Sequence, residues 1–341
     1  MNTFFTIEKS DISEQYRKIR ATKERELTER KEELFRKCPE LLQIEQKIFS
    51  VNADCMRRIL TASPDQAAAL KKERNRELDA LKKKRSELLA SLGTDESALE
   101  PEYECPICQD QGVIDGQRCE CFRKKYLSQL YRQSTLESIL KRENFDTFRS
   151  DYYSNDPVGE NVSPRRNIEV LERRARAFAD AFPKSKKSFL FYGETGLGKT
   201  FLTNCISKAL MDKGYTVLYL SSNDLFSDIL GPYLMSGTDE QKALLRPVYE
   251  LIFDADLLVI DDLGTELTNT FTTSCLFEIV NKRGRDERST IISTNFSLQQ
   301  LRDRYQERIV SRIAEQYEMC RFYGQDIRSL KKAQELLQRN K

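Results

Sequence analysis

The sequence predicts an α/β protein built on a parallel sheet, preceded by an α-helical, coiled-coil-like region and a small cysteine-dense module. Three observations carry this. Residues 10–92 are rich in Lys, Arg, Glu, Leu and Gln and contain no glycine before Gly93. Four cysteines then fall within 17 residues, at Cys105, Cys108, Cys119 and Cys121. From about residue 165, helical patterns alternate with short β-branched runs, the order that produces a mostly parallel sheet covered on both faces.

A chain of 341 residues has room for two or three domains. The expected boundaries are a helical hairpin or bundle over 1–98, a metal-binding module over 99–130, a linker over 131–164 and a nucleotide-binding domain over 165–341. With 56 basic against 54 acidic residues the formal charge is +2. Such a balance supplies no bulk attraction to nucleic acid or to a membrane surface, so any DNA contact must come from a local patch. The opening MNTFFTIEKS has no basic n-region, no useful apolar run and no small-residue cleavage site, so a signal peptide is not expected. No stretch approaches the ~18 apolar residues that span a bilayer. A cytoplasmic protein without a membrane partner is the expectation. Nine cysteines there stay reduced, and a tight group of them points to metal before disulfide. The absence of histidine excludes imidazole as ligand or catalyst.

In the helical region Pro39 and Pro64 stand where a first turn tolerates a missing N–H, and Ser63 suits an N-cap. Leu41, Ile44, Ile48, Val51, Cys55 and Ile59 recur in steps of three and four, the spacing of one helical stripe. Ala67, Leu70, Leu78, Leu81, Leu88 and Leu92 repeat the pattern, and Gly93 is a natural stop. Helices over 11–37, 39–61 and 64–92 follow. Both a solvated spacer and a folded-back hairpin fit this composition; a narrow apolar stripe flanked by charge favours packing on a partner helix.

The Cys105-x₂-Cys108 turn presents two sulfurs to one tetrahedral ion, and Pro106 stiffens it. Gly112 and Gly116 let the chain reverse and return Cys119 and Cys121, whose C-x-C spacing is tighter than usual. A structural Zn²⁺ is the leading reading; a redox dithiol and a ligand-free cluster are the others. Four thiolates leave no open position, which argues against catalytic zinc.

Gly193-Glu194-Thr195-Gly196-Leu197-Gly198-Lys199-Thr200 fits G-x₄-G-K-[ST] between an apolar strand ending at Tyr192 and a helical segment from Phe201. Glycines let backbone N–H groups turn inward around phosphate oxygens, and the helix N-terminus adds its positive end. Lys199 then meets the β- and γ-phosphates of ATP, and the Thr200 hydroxyl reaches Mg²⁺. The apolar run Leu257–Ile260 ends in Asp261 and Asp262. Asp261 is the candidate Mg²⁺-side ligand. Asp262, or Glu266 four residues on, is the candidate for polarising the attacking water. Asn295, closing the run IISTN, is placed to bond the γ-phosphate or the water. Arg308 and Arg312 lie one turn apart on one helix face, where a solvated basic face is the ordinary explanation.

In this order and spacing, GETGLGKT, LLVIDDLGTE, IISTN and ERIVSRI resemble the AAA+ P-loop proteins of the DnaC/DnaI type. Those are bacterial replicative-helicase loaders, with the IstB transposition helpers as close relatives. The resemblance spans about residues 145–330. It implies an AAA+ ATPase with a reduced C-terminal lid and a replicative helicase of the DnaB type as partner. It also implies contact with single-stranded DNA and self-association into a ring or spiral. Asn295 maps to sensor 1, Arg308 or Arg312 to a finger that reaches a neighbour's ATP, and Arg328 to a weak sensor-2 substitute. Loaders resemble this chain too in the helical excess over Asn223–Phe253, which lines a DNA channel in the family; a packed helix without that role fits the residues equally. The DnaI-type plan, a helicase-binding module with zinc before the ATPase, matches the cysteine cluster, whereas IstB helpers generally lack it. A transposition or phage DNA-targeting ATPase is the alternative, and a nucleotide-gated adaptor that barely turns ATP over is a third.

Overall fold

The computed structural model describes residues 9–133, 136–159 and 162–330. The reading of the N-terminus as lacking a leader therefore falls, over residues 1–8, outside the described residues, as does the C-terminal end of the expected ATPase segment. The chain divides into two compact units, Ser10–Cys119 and the chain from Glu120 on. Among the described residues no helix is long and apolar enough to cross a membrane.

In the first unit the helices are α1 (Lys9–Lys37), α2 (Pro39–Ile59) and α3 (Pro64–Ser91). Pro39 and Pro64 occupy first turns as expected, and Ser63 with Gln66 forms a reciprocal capping box. Gly93 ends α3 at φ +74°, with Thr94 N–H donating to Leu89 O and Gly93 N–H to Ala90 O. This 6→1 and 5→2 pair satisfies carbonyls that the helix end leaves open. Antiparallel α2 and α3 pack as a hairpin through Leu41, Ile44, Cys55, Leu78 and Leu89, so the spacer reading gives way. Arg85 bridges Glu45 and Glu96 across its base. Beyond it, β1 (Val113–Ile114) and β2 (Gln117–Arg118) form a short antiparallel hairpin. Its two turn residues, Asp115 and Gly116, both have positive φ, as a type I′ turn requires.

In the second unit come α4 (Glu120–Gln133) and α5 (Leu136–Arg142), then α6 (Pro164–Ala181). There follow β3 (Ser188–Tyr192), α7 (Lys199–Asp212), β4 (Val217–Ser221), α8 (Asp239–Asp254) and β5 (Leu257–Leu263). The unit continues with α9 (Thr270–Arg285), β6 (Ser289–Thr294), α10 (Leu298–Tyr305), α11 (Glu307–Gln316) and β7 (Tyr317–Arg321). The five strands are all parallel, in the order β4-β5-β6-β3-β7. Near-continuous apolar runs such as Leu257–Ile260 are fully buried because helices cover both faces. Between β4 and α8, residues 224–230 and 232–236 wind as π-helical turns, within the stretch of helical excess expected from sequence.

Two stretches differ from the sequence reading. β7 was not anticipated; YEMCR has no alternating pattern, and it becomes a strand by pairing in parallel with β3 along Tyr317–Arg321. Residues 131–164, expected as a linker, contribute Phe145, Phe148, Tyr152 and Tyr153 to the core around Phe189, Phe191 and Leu202.

Candidate nucleotide-binding site

Parallel strands deliver their carboxyl ends to one edge, and that is where β3, β5 and β6 release the P-loop, the acidic pair and Asn295. The P-loop turns through Gly193, Gly196 and Gly198, all at positive φ. Gly198 sits at φ +89° as the N-cap of α7 and makes no side-chain cap, so the first amides of the helix face the cleft without a capping side chain. Tyr153 holds this turn by donating to Leu197 O at 3.0 Å. Ile327 N–H donates to Gly196 O at 3.0 Å from the C-terminal side.

Lys199 is buried and curls back over the loop. Its Nζ donates to Gly193 O (2.7 Å), Glu194 O (2.6 Å) and Asn295 Oδ1 (2.8 Å). Burial pushes its pKa down to about 8, against the opposing pull of Asp262 and Asp261.

The acidic pair sits in a register shift between Ile260 and Leu263, where β5 and β6 slip relative to one another. Asp262 takes φ +54° there, a conformation that aspartate tolerates better than most side chains. Asp261 accepts from Thr200 Oγ1 (3.4 Å), from the Tyr219 hydroxyl (2.7 Å) and from the Ser293 hydroxyl. Ser293 in turn accepts from Asp262 N–H at 2.9 Å. Asn295 Nδ2 reaches Asp262 Oδ1 at 3.4 Å. Burial, then Asp261, pushes the Asp262 carboxyl up from its ordinary value. Lys199, Thr200, Asp261, Asp262 and Asn295 thus meet in one place. The residues present fit a Mg²⁺-nucleotide: a hydroxyl and a carboxylate in contact, a buried lysine beside the loop and a row of backbone amides.

Glu266 is not among them. It is only 2% exposed, and its carboxylate accepts from Gly264 N–H (2.9 Å), Thr268 and the Tyr305 hydroxyl. Burial inside this ring of donors removes it as the water-polarising alternative. Arg308 and Arg312 also lie away from this cluster in their own chain. Arg308 stacks 4.6 Å over Phe277, and Arg312 pairs with Glu315 at 2.7 Å. Arg328 lines the cleft beside Lys199 and Asp262, as does Glu143, which accepts from Asn204 on α7 at 2.7 Å. Sequence reasoning passed over Glu143, Tyr219 and Ser293. The serine alone left a signal, as a polar residue in the run IISTN that Asn295 closes.

The four cysteines of the second predicted site come together, with all Sγ atoms within 4.8 Å of one another and no disulfide. Cys105 and Cys119 are 3.8 Å apart at sulfur, the edge of about 3.8 Å that a tetrahedron with Zn–S bonds of about 2.3 Å has. Gly112 N–H points to Cys108 Sγ at 3.2 Å. Buried Asp110 accepts from Glu104 N–H and Cys105 N–H, shaping the first turn. The cluster is compatible with Zn²⁺.

The family model described as IstB-like ATP binding protein matches residues 168–334. Among curated proteins the chain is similar to the replicative helicase loader DnaC of Escherichia coli (strain K12), 29% identical over 140 residues, 41% of this chain and 55% of that protein. The DnaC of Buchnera aphidicola subsp. Baizongia pistaciae (strain Bp) is 28% identical over 139 residues, with the same shares. The uncharacterized protein YdaV of Escherichia coli (strain K12) is 28% identical over 203 residues, 59% of this chain and 75% of that one. The chain therefore spans about half the length of the DnaC proteins it matches. Among solved structures, a DnaC helicase loader crystal structure covers 54% of this chain and 99% of its own, at 26% identity and a TM-score of 0.43. A DnaI crystal structure covers 53% and 94%, at 22% identity and a TM-score of 0.39.

Proposed function

We propose, from the match of residues 168–334 to the family described as IstB-like ATP binding protein, that this protein is an ATP-hydrolysing, cytoplasmic loader of a DnaB-type replicative helicase. Lys199 moves from the P-loop carbonyls to the β- and γ-phosphates, with Gly193, Glu194, Thr195, Gly196, Leu197 and Gly198 cradling them. Thr200 and Asp261 hold Mg²⁺, which supplies charge neutralisation on the phosphates when bound. Asp262 polarises the attacking water, and Asn295, already bonded to both Lys199 and Asp262, positions it. Arg308 or Arg312 serves the site of a neighbouring copy in a ring or spiral. Cys105, Cys108, Cys119 and Cys121 hold a structural Zn²⁺ that stiffens the helicase-binding part. Single-stranded DNA is met through the insertion over residues 223–253.

The observation that carries the loading role is the outward face of α2. Leu42, Phe49, Met56 and Leu60 repeat at steps of seven, seven and four, and Phe49 and Leu60 are 76% and 85% exposed. The opposite face of the same helix already packs on α3. An apolar stripe about five turns long, running to the C-cap residue Leu60 and left in water, favours a protein partner. The replicative helicase from the same cell, mixed with the purified chain, is expected to co-elute on size exclusion. Phe49→Asp is expected to abolish that co-elution while ATP binding persists. Capture of a transposase instead would favour the IstB-like transposition reading. ATP turnover that stays negligible with single-stranded DNA and helicase present would favour the adaptor.

A further inference from the structure

We infer that Tyr219 is a positioning residue for the cation-side carboxylate Asp261, and that the Tyr131 hydroxyl of α4 holds Tyr219 in register. The inference rests on the reading of Asp261 as the Mg²⁺-side ligand. β4 is an outermost strand, and among the described residues its outer N–H and C=O groups have no strand partner. The Tyr131 hydroxyl stands at that edge. It donates to Val217 O and accepts from Tyr219 N–H at 3.2 Å. Residues i and i+2 on one edge are the pair that a further parallel strand would engage. One phenol therefore does locally what a sixth strand would do, and it does so at Tyr219.

From that backbone position the Tyr219 side chain runs toward the carboxyl end of the sheet. Its own strand pairs Tyr219 with Val259 and Ser221 with Asp261. The length of a tyrosine covers this two-residue offset, and its hydroxyl donates to Asp261 Oδ2 at 2.7 Å. The other carboxylate oxygen takes Ser293 and Thr200. Asp261 is thus held from both oxygens, by one group from each neighbouring strand and one from the P-loop helix. A carboxylate fixed in this way presents its remaining lone pairs to a cation in one orientation. Groups that orient a metal's ligands from behind are commonly worth tenfold or more in affinity.

Tyr219 is also half-buried against the core, so packing alone could explain a large residue there. Phenylalanine packs as well and lacks only the hydroxyl, which makes it the discriminating change. The experiment is a Mg²⁺ titration of a fluorescent ATP analogue bound to the full chain, for wild type, Tyr219→Phe, Tyr131→Phe and Asp261→Asn. Tyr219→Phe is expected to raise the Mg²⁺ midpoint about tenfold, with melting temperature and Mg²⁺-free nucleotide affinity unchanged. Tyr131→Phe is expected to shift the midpoint in the same direction by less. A wild-type midpoint in Tyr219→Phe, with Asp261→Asn strongly shifted, overturns the inference and leaves the Asp261 reading intact. Unshifted Asp261→Asn overturns both. A Tyr219→Phe chain that loses melting temperature and Mg²⁺-free affinity along with the midpoint has lost packing, and that too overturns it.

Discussion

Raising the pH from 7 to 9 should weaken nucleotide binding about tenfold through Lys199 alone. In the free protein burial holds this lysine at about 8, so it is about nine-tenths charged at pH 7 and about one-tenth charged at pH 9. Phosphate oxygens beside Nζ keep it charged in the complex, which places the bound-state pKa above the free-state value. Binding therefore takes up a proton. Affinity is full below pH 8 and falls as pH rises through it, by about 1.4 kcal/mol over the two units. Calorimetric titrations at pH 7, 8 and 9, in two buffers of different ionisation enthalpy, read both the affinity and the proton uptake. Uptake should climb from about one-tenth to about nine-tenths of a proton per site. Lys199→Arg, whose guanidinium stays charged throughout this range, should bind more weakly at pH 7 but with a flat profile. A flat wild-type profile, or the same slope in Lys199→Arg, would refute the reasoning.

Three further outcomes are expected. Asp262→Asn should keep nucleotide binding and lower steady-state turnover by at least about a hundredfold; Glu266→Gln should instead lower the melting temperature, costing about 1–3 kcal/mol, and turn over normally once folded. Metal analysis of protein prepared without chelator should find about one Zn²⁺ per chain, and Cys105→Ser or Cys119→Ser should lose it while ATP affinity holds; a metal-free wild type would remove the zinc assignment. Arg308→Ala or Arg312→Ala should bind ATP normally and lose turnover by about 10³–10⁵-fold. Mixing the inactive one with Lys199→Ala should restore part of the activity, and failure of any such complementation would mean that no finger acts between chains.

The features legible in the sequence are those whose physics is local. A P-loop is a run of backbone turns that only glycine takes freely, followed by a helix start, so Gly193, Gly198 and Lys199 announce their geometry within eight residues. The same holds for Pro39, Pro64, the Ser63 cap and the Gly93 stop, each of which acts on its own helix end. The Asp-Gly turn between β1 and β2 and the paired cysteines on either side of it are likewise short-range, and the sulfurs meet where their spacing implied.

What the tertiary structure alone decided is which distant groups share a carboxylate. Glu266 and Asp262 are four residues apart and chemically alike, yet one is sealed against Tyr305 and the other faces Lys199 and Asn295. That choice depends on Tyr305 of α10 reaching Glu266 in the loop that follows β5. Tyr219 reaches Asp261 from a neighbouring strand with no motif to mark it, and Glu143 lines the cleft from far upstream in the chain. Arg283 shows the same limit in the core. It sits fully buried, donating to the carbonyls of Ile252, Phe253, Ala255 and Ser289 and to Thr290, although its sequence context reads as an exposed basic helix end. A side chain's neighbours along the chain set its backbone conformation, whereas its neighbours across the sheet set its hydration and charge, and those are known only once the strands are ordered.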